Sequence, residues 1–237
     1  MADLKMTVVE HLDELRSRLI ISLAAVVVSS CFAFWKVKTI VRWMVIPPVD
    51  RLVFFSPAEA FTAYCKVAVF AGIILASPII LFQIWSFVSS GLEPDERRIA
   101  LLYIPFAIAL FLCGAAFSFF IVIPWALEFL INFAGPEMMP MISISKYLSF
   151  IIMLVLIFGV VFEFPVAVIL LTKLGLVNAG LLSRNRKYAV VIIFIAAAVL
   201  TPTPDAFTMM LMAVPMVFLY EISIWLSKFV KRRVSVK

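Results

Sequence analysis

The chain has 237 residues, of which 65% are hydrophobic and 14% charged, and its mean hydropathy is +1.16. A soluble domain is about half apolar and about a quarter charged, so this composition excludes a water-soluble globular fold and indicates a single membrane domain over residues 1–237. The net charge of +6 is not arranged as a basic stripe with interleaved aromatic residues, so no nucleic-acid partner is expected.

Charge-free apolar runs predict an all-α, polytopic bundle of six transmembrane helices. A spanning helix needs roughly 20 apolar residues to cross about 30 Å of hydrocarbon. The fifth run is short because it has only 13 residues, from Tyr188 to Leu200, and the sixth looks short because only fifteen residues separate Asp205 from Glu221. The strands of a membrane β-barrel alternate apolar and polar residues over about ten positions. These runs are apolar at odd and even positions alike and are longer, which excludes a β-barrel. The predicted spans are 19–35, 67–92, 99–124, 147–172, 188–201 and 205–226.

Lysine and arginine are distributed unequally between the two sides of this bundle. The side that holds both termini carries 14 of the 20 basic residues, including those of a basic tail at 227–237. Cytoplasmic loops are enriched in Lys and Arg, so both termini are predicted to be cytoplasmic. The first apolar run lacks a small-residue cleavage site, which argues against a removed signal peptide.

Residues 7–18 are predicted to form an amphipathic helix at the cytoplasmic surface that continues into the first span. Thr7-Val-Val-Glu10 has the spacing of a capping box, so the helix is predicted to start near Val8. One face is apolar and consists of Val8, Leu12, Leu15 and Leu19. Another face is polar and consists of His11, Glu14 and Arg18.

Two external loops, 36–66 and 124–146, are predicted to be structured. The first begins with an apolar stripe that indicates an interfacial helix lying on the membrane and ending at Pro47-Pro48. The stripe consists of Val37, Ile40, Val41, Met44 and Val45. Ser56-Pro-Ala-Glu59 is a second capping box, with proline at the first helical position, that leads into the second span. Gly135-Pro136 is predicted to stop a short helix in the second loop.

Motifs of enzymatic catalysis are absent from the sequence. The chain has one histidine and seven glycines. It has no HExxH, no Cys/His cluster, no GxSxG and no phosphate-binding glycine-rich loop. No enzyme activity, cofactor or metal is therefore expected, and the protein is expected to act through binding and conformational change.

Acidic residues in unusual positions are the remaining candidates for function. Glu163 lies inside the fourth span, where a charge costs about 3 kcal/mol even on permissive insertion scales. Asp205 is either the N-cap of the sixth helix or a functional group. Glu14 either pairs with Arg18 on a solvated face or binds a ligand. Glu96 either stabilises a helix N-terminus or binds a ligand.

Six segments in chain order carry recognisable motifs. They are Glu10-His-Leu-Asp-Glu-Leu-Arg-Ser-Arg-Leu19, Phe55-Ser-Pro-Ala-Glu-Ala-Phe61, Ser77-Pro-Ile-Ile-Leu-Phe-Gln-Ile-Trp85, Glu96-Arg97-Arg98, Phe162-Glu-Phe-Pro165 and Thr201-Pro-Thr-Pro-Asp205. In this order they resemble the motifs of the TatC family, the core subunit of the twin-arginine protein translocase. Two features depart from the family pattern: the last motif has an extra Thr, and Met209 stands where relatives can carry Gln.

The resemblance implies a receptor in the plasma (inner) membrane of a prokaryote. It would recognise signal peptides with two adjacent arginines and recruit single-span partner subunits (TatA, TatB or a TatA-like dual subunit). The multimeric complex, surrounded by membrane lipid, would move folded cargo on the proton-motive force. Strong charge-assisted Arg–carboxylate bonds make Glu14 and Glu96 suitable for paired guanidinium groups. The implied signal-peptide residues are His11, Glu14, Arg16, Glu96 and Arg98. The implied intramembrane residues are Glu163 and Asp205, and the implied external-loop residues are Pro47, Phe55 and Phe61.

The alternative from another class is a proton-coupled small-solute transporter that uses Glu163 and proline-broken helices. The absence of an internal repeat argues against this alternative. Under the translocase hypothesis, the short fifth and sixth spans are predicted to thin the bilayer locally and to form the edge where single-span partners dock.

Overall fold

The computed structural model describes residues 8–49, 51–91, 101–133, 135 and 140–229. Within these ranges the chain is almost entirely helical, and its only β-type pairing is one isolated bridge. The helices are α1 (Val8–Trp35), α2 (Val37–Met44), α3 (Pro57–Ser90), α4 (Ile104–Phe117), α5 (Ile123–Phe133), α6 (Ile144–Val161), α7 (Phe164–Lys173), α8 (Ala179–Arg184), α9 (Arg186–Leu200) and α10 (Ala206–Phe229).

The chain divides by its internal contacts into two compact units. The first unit comprises Met1–Ile40 and Tyr64–Ile108, and the second comprises Val41–Ala63 and Ala109–Lys237. The first unit therefore contains α1 and most of α3, whereas the second contains all helices from α5 onward.

Five segments of the described chain are long and apolar enough to cross a membrane: α1, α3, α4 continued by α5, α6 continued by α7, and α10. The predicted all-α membrane fold is thereby confirmed. Helix α9 is the short fifth member of the predicted six, since its 15 residues extend only about 23 Å. The predicted shortness of the sixth helix is wrong, because α10 has 24 residues and continues past Glu221 to Phe229.

Helix α1 runs without a break from the polar N-terminal segment into the first span. The capping box predicted at Thr7 lies outside the described residues, and α1 begins at Val8 as predicted. The apolar stripe of this helix faces outward, since Leu12 and Leu19 are 59% and 60% exposed. Only 6% of the most apolar 18-residue stretch of α1 is buried within the protein, as expected of a helix surrounded by lipid.

Helices α1 and α3 approach each other closely within the first unit. A Cβ atom at position 72 would clash with the Oγ of Ser30 and would lie 2.7 Å from the backbone of Ser30. Any side chain at this position would therefore clash, so the close approach of the two helices requires glycine. Small residues at such crossings allow membrane helices to pack backbone against backbone. This crossing fixes the spacing between α1 and α3.

The two predicted external loops meet inside the second unit. The Val53 N–H donates to the Ile142 carbonyl at 3.0 Å, and the Ile144 N–H donates to the Val53 carbonyl at 2.9 Å. The Tyr147 hydroxyl donates to the Met44 carbonyl at 2.9 Å. The loops are therefore structured, and they are joined by hydrogen bonds.

The capping box before α3 forms as the sequence predicts. Helix α3 begins at Pro57, and the Glu59 N–H donates to the Oγ of Ser56 at 3.2 Å. The Glu59 carboxylate in turn accepts the Phe55 N–H at 2.8 Å. Reciprocal bonds of this kind satisfy donors that the first turn of a helix leaves open.

The apolar stripe of α2 contacts protein, not the membrane surface that its pattern predicts. Its residues Val37, Val41 and Met44 are 6%, 7% and 4% exposed. An amphipathic helix shows the same periodicity whether its apolar face covers lipid or protein, so the pattern alone could not separate the two.

The third and fourth spans interlock through two glycines in the second unit. The ring of Phe111 lies over Gly159, where a Cβ would be 2.7 Å from the ring. Gly114 faces the backbone carbonyl of Phe158, which would be 2.5 Å from a Cβ. The third span then passes through a π-helical segment, Ser118–Val122, just before Pro124, where the missing N–H interrupts the regular ladder.

Helix α10 packs mainly against α7 and α9. A buried hydrogen bond of 2.9 Å joins the hydroxyls of Thr172 and Ser227 across the α7–α10 contact. At the other end of α10, Phe207 stacks on Phe129 of α5 with ring centroids 4.0 Å apart. After α5, Gly135 adopts the left-handed conformation (φ 76°), which agrees with the predicted stop of a short helix.

Candidate functional site

The polar face of α1 lies against the last turns of α3, inside the first unit. The Nε of Arg18 donates to Oε1 of Glu14 at 2.8 Å, and its Nη2 donates to the same oxygen. Its Nη1 donates to the Oε1 of Gln83 at 3.1 Å. The side chains of Arg18 and Glu14 are each only 17% exposed. The result is a largely buried guanidinium–carboxylate pair that a residue of a second helix holds in place.

The second carboxylate oxygen of Glu14 lacks a hydrogen-bond donor. Oε2 is shielded from solvent and accepts no hydrogen bond within the described chain. The Nδ1 of His11 is 4.0 Å away, beyond hydrogen-bond distance. The Ser90 hydroxyl lies beside the carboxylate but donates to the Phe87 carbonyl at 2.7 Å. A buried acceptor without a donor costs about 1–3 kcal/mol, so an added N–H donor is favoured at this atom.

His11 is held at the same helix contact. Its imidazole stacks on the ring of Phe87, with centroids 4.3 Å apart and an interplanar angle of 17°. Gly91 lies beside it, and a Cβ there would make an ordinary van der Waals contact at 3.9 Å from the imidazole Cε1. The structure thus brings together two predicted site residues, His11 and Glu14, on one wall of the α1–α3 contact.

The other predicted signal-peptide residues are not part of this cluster as described. Arg16 is exposed, and residues two apart on a helix do not share a face, so it points away from Glu14. Glu96 and Arg98 lie outside the described residues. Their predicted approach to Glu14 therefore stays a prediction.

Glu163 lies at an interruption of the fourth span, between α6 and α7. Its N–H donates to the Val160 carbonyl at 3.1 Å. This bond spans three residues, as in a 3₁₀ turn, and not the four of an α-helix. Pro165 occupies the first turn of α7 and has no N–H to continue the ladder. Both carboxyl oxygens of Glu163 are shielded from solvent. The sequence therefore located the acidic residue correctly, at a proline-induced break in an apolar helix.

Asp205 is the N-cap of α10. Its Oδ1 accepts the Thr208 N–H at 2.6 Å. Burial by itself raises the pKa of Asp205, but the Thr208 N–H and the nearby hydroxyls of Thr203 and Thr208 stabilise the carboxylate and hold the pKa below its ordinary value of 3.8. This geometry supports the capping interpretation of Asp205.

The three predicted external-loop residues are exposed in the second unit. Phe55 and Phe61 are 72% and 63% exposed, and neighbouring Phe54 is 59% exposed. Pro47 is exposed at the cis Pro47–Pro48 bond that follows α2. Phe54 and Phe55 lie on the loop before α3, whereas Phe61 lies near the start of α3 itself. Exposed aromatic side chains of this kind are typical of an interaction surface.

Sequence reasoning gave no role to Gln83 and Phe87. Gln83 is a polar residue in an otherwise apolar run, and Phe87 follows it by four residues on the same helix face. These signals were available, but the sequence did not show that this face of α3 meets the polar face of α1.

Fold and site together define a polytopic α-helical membrane protein with a buried carboxylate–guanidinium pair between its first two spans and a carboxyl group inside the fourth. The family model for TatC, the Sec-independent protein translocase protein, matches residues 10–215. This chain belongs to the TatC family. Membership does not support the alternative of a small-solute transporter.

Two curated relatives match over nearly their whole length. The Sec-independent protein translocase protein TatC of Carboxydothermus hydrogenoformans is 47% identical over 234 residues, covering 98% of this chain and 96% of the relative. The protein of the same name from Aquifex aeolicus is 38% identical, covering 96% and 97%. A crystal structure of the twin arginine translocase receptor TatC superposes with a TM-score of 0.81 at 39% identity, covering 94% of this chain and 100% of that one.

Proposed function

We propose that this protein is the receptor subunit of a twin-arginine translocase. It binds signal peptides that carry two adjacent arginines at its cytoplasmic face. With single-span partner subunits it transports folded proteins across the plasma membrane on the proton-motive force. The observation that carries the binding proposal is the Glu14 carboxylate, which is largely buried and keeps one oxygen without a donor among the residues that the structure describes.

An arginine side chain has the chemistry that this oxygen requires. A guanidinium presents several N–H donors in a planar fork, stays charged at all physiological pH values and is less strongly hydrated than an ammonium group. A guanidinium therefore loses less hydration free energy than an ammonium group when it enters a site shielded from water. Glu96, Arg16 and Arg98 are proposed to complete the site, with Glu96 taking the second arginine of the pair.

Direct binding of a signal peptide tests this proposal. The full chain in lipid nanodiscs is titrated with a fluorescent twin-arginine peptide and with its twin-lysine counterpart. The arginine peptide is expected to bind about tenfold more tightly, because a hydrogen bond to a charged group contributes about 1.5–3 kcal/mol. Glu14→Gln should lower the affinity for the twin-arginine peptide by a similar factor. Asp13→Asn, an exposed acidic neighbour, is the control and should bind as wild type. Equal affinity of wild type for both peptides would contradict the proposal.

Membrane orientation is proposed from the distribution of basic residues. Both termini and the segment around Asn185 are placed in the cytoplasm, and the segment around Ser56 outside. Single cysteines at these two positions, in a chain from which Cys31, Cys65 and Cys113 have been replaced, should react with an impermeant reagent from opposite sides. External labelling at Asn185 would show the reverse orientation.

The partner subunits are proposed to dock along α9 and the start of α10. Helix α9 covers only about 23 Å, and its apolar residues Ile195 and Val199 are 58% and 76% exposed. A photo-crosslinker at Val199 should capture a single-span partner, whereas one at Val28 of α1, which is 70% exposed, is the control. Capture at Val28 alone would place the docking edge elsewhere.

A further inference from the structure

We propose that Gln83 is a positioning residue of the signal-peptide site, which holds Arg18 on one oxygen of Glu14 and so keeps the other oxygen available for an incoming arginine. This inference rests on the proposed function. It concerns a contact between α1 and the part of α3 that belongs to the first unit.

The hydrogen-bond pattern of Arg18 is unusual for a guanidinium beside a carboxylate. Such pairs commonly form two parallel bonds, one to each oxygen. Here both the Nε and the Nη2 of Arg18 donate to Oε1 of Glu14, and the Nη1 donates to Gln83. Oε2 of Glu14 consequently receives no hydrogen bond in the described structure, although it is buried.

Arg18 is a built-in competitor of the ligand. It lies four residues after Glu14 on the same helix, within reach of both carboxylate oxygens, and it carries the same guanidinium group as a signal-peptide arginine. If Arg18 turned to engage both oxygens, an arriving arginine would have to displace it. Gln83 opposes that movement, because its amide oxygen accepts the Nη1–H from the far side.

Gln83 can hold Arg18 because α3 is fixed relative to α1. The close approach of Gly72 to Ser30 sets the helix spacing within the same unit. The stacking of His11 on Phe87, one turn beyond Gln83, fixes the contact on the other side. Gln83 therefore acts from a defined distance and does not follow the movements of Arg18.

Two substitutions at this position separate positioning from packing. Gln83→Leu keeps a similar volume and removes the acceptor, so Arg18 is released to both oxygens of Glu14. Affinity for the twin-arginine peptide should fall about tenfold, the loss expected when one bond to a charged group is redirected. Gln83→Glu keeps the shape and accepts the Nη1–H more strongly, so affinity should stay within about twofold of wild type. A packing role predicts the opposite order, since leucine suits an apolar helix contact better than a carboxylate does.

A double variant tests the competition directly. Arg18→Met with Gln83→Leu removes the competitor that Gln83→Leu releases, so it should bind the twin-arginine peptide more tightly than Gln83→Leu alone. Phe82→Leu, at an exposed neighbouring position of α3, is the control and should bind as wild type. Size-exclusion profiles and thermal unfolding identify any variant that does not fold, and only folded variants enter the comparison.

The outcomes distinguish this inference from the proposed function. If wild type does not discriminate between arginine and lysine peptides, or if Glu14→Gln binds as wild type, the proposed function fails and the inference fails with it. If both of those tests succeed but Gln83→Leu binds as wild type, or Gln83→Glu binds worse than Gln83→Leu, the inference alone is overturned. A double variant no tighter than Gln83→Leu also overturns it.

Discussion

The hydroxyl of Ser143 donates to the carboxylate of Glu59, across 84 residues of sequence within the second unit. Both residues also cap helices. Ser143 accepts the Lys146 N–H at 3.3 Å at the start of α6, and Glu59 accepts the Phe55 N–H at the start of α3. One carboxylate thus ties the beginnings of two spanning helices together, which explains why the two connecting loops form one structure.

Ser143→Ala should lower the stability of the protein. It removes an N-cap, which costs about 1 kcal/mol, and it also takes the hydroxyl donor from Glu59. The midpoint of thermal unfolding in detergent should therefore fall. Thr62→Ala is the matched control, since the Thr62 hydroxyl donates to the Ala58 and Glu59 carbonyls of its own helix. Equal unfolding midpoints for the two variants would show that the Ser143–Glu59 hydrogen bond adds no more stability than the hydroxyl of Thr62.

The glycines of the third and fourth spans should respond differently to alanine. Gly159→Ala pushes against the ring of Phe111, so the second substitution Phe111→Leu should restore much of the lost stability. Gly114→Ala meets the backbone carbonyl of Phe158, which cannot be trimmed, so it should be the more destabilising of the two. Thermal unfolding of the single and double variants measures both effects. If Phe111→Leu fails to improve Gly159→Ala, the clash lies elsewhere.

The sequence predicted the helices well because membrane spans are set by length and apolarity, which are local properties. It located the start of α3 from Ser56 and Glu59, and it offered Asp205 as the cap of α10 beside a functional role, because capping also depends on neighbours in sequence. Glu221 made the apolar part of the sixth span look short, whereas α10 continues to Phe229 and the Glu221 carboxylate pairs with Arg186 at 2.8 Å.

The candidate site was only partly predictable, for a physical reason. Periodicity placed His11, Glu14 and Arg18 on one face of α1, but a polar face has the same pattern whether it meets solvent or another helix. The contact with Gln83 is 65 residues away in sequence and depends on the helix crossing at Gly72. No local pattern carries that information.

The cap formed by Asp205 should make stability depend on pH in the acidic range. Because hydrogen bonds hold the pKa of this carboxyl below 3.8, the folded state is favoured while the group is ionised. The contribution is present above that ordinary value and is lost as the pH falls through the lowered pKa. Asp205→Asn keeps a capping oxygen without a charge, so the stability difference between wild type and this variant should shrink as the pH is lowered from 6 toward about 3. A difference that stays constant over this range would show that ionisation contributes nothing.

Glu163 should act through a polar contact inside the membrane. Its carboxyl group is shielded from solvent at the break between α6 and α7, where Pro165 leaves the helix ladder incomplete and attracts polar groups. Ionisable residues inside membrane spans are costly and mark functional sites, so we expect this carboxyl group to contact a polar group of a partner helix or of inserted cargo during transport. Glutamine keeps the shape and most of the hydrogen-bonding capacity of glutamate, whereas alanine keeps neither.

Transport of a folded reporter protein in cells tests the role of Glu163. Glu163→Gln should retain most of the transport, and Glu163→Ala should lose it at equal membrane abundance. Glu221→Gln, which alters a half-exposed carboxylate of α10, is the control and should transport as wild type, because exposed ion pairs contribute little. Failure of both Glu163 variants would mean that the carboxyl must change its protonation state during transport, so that Glu163 belongs to the coupling to the proton-motive force. Normal transport by Glu163→Ala would remove the residue from the mechanism altogether.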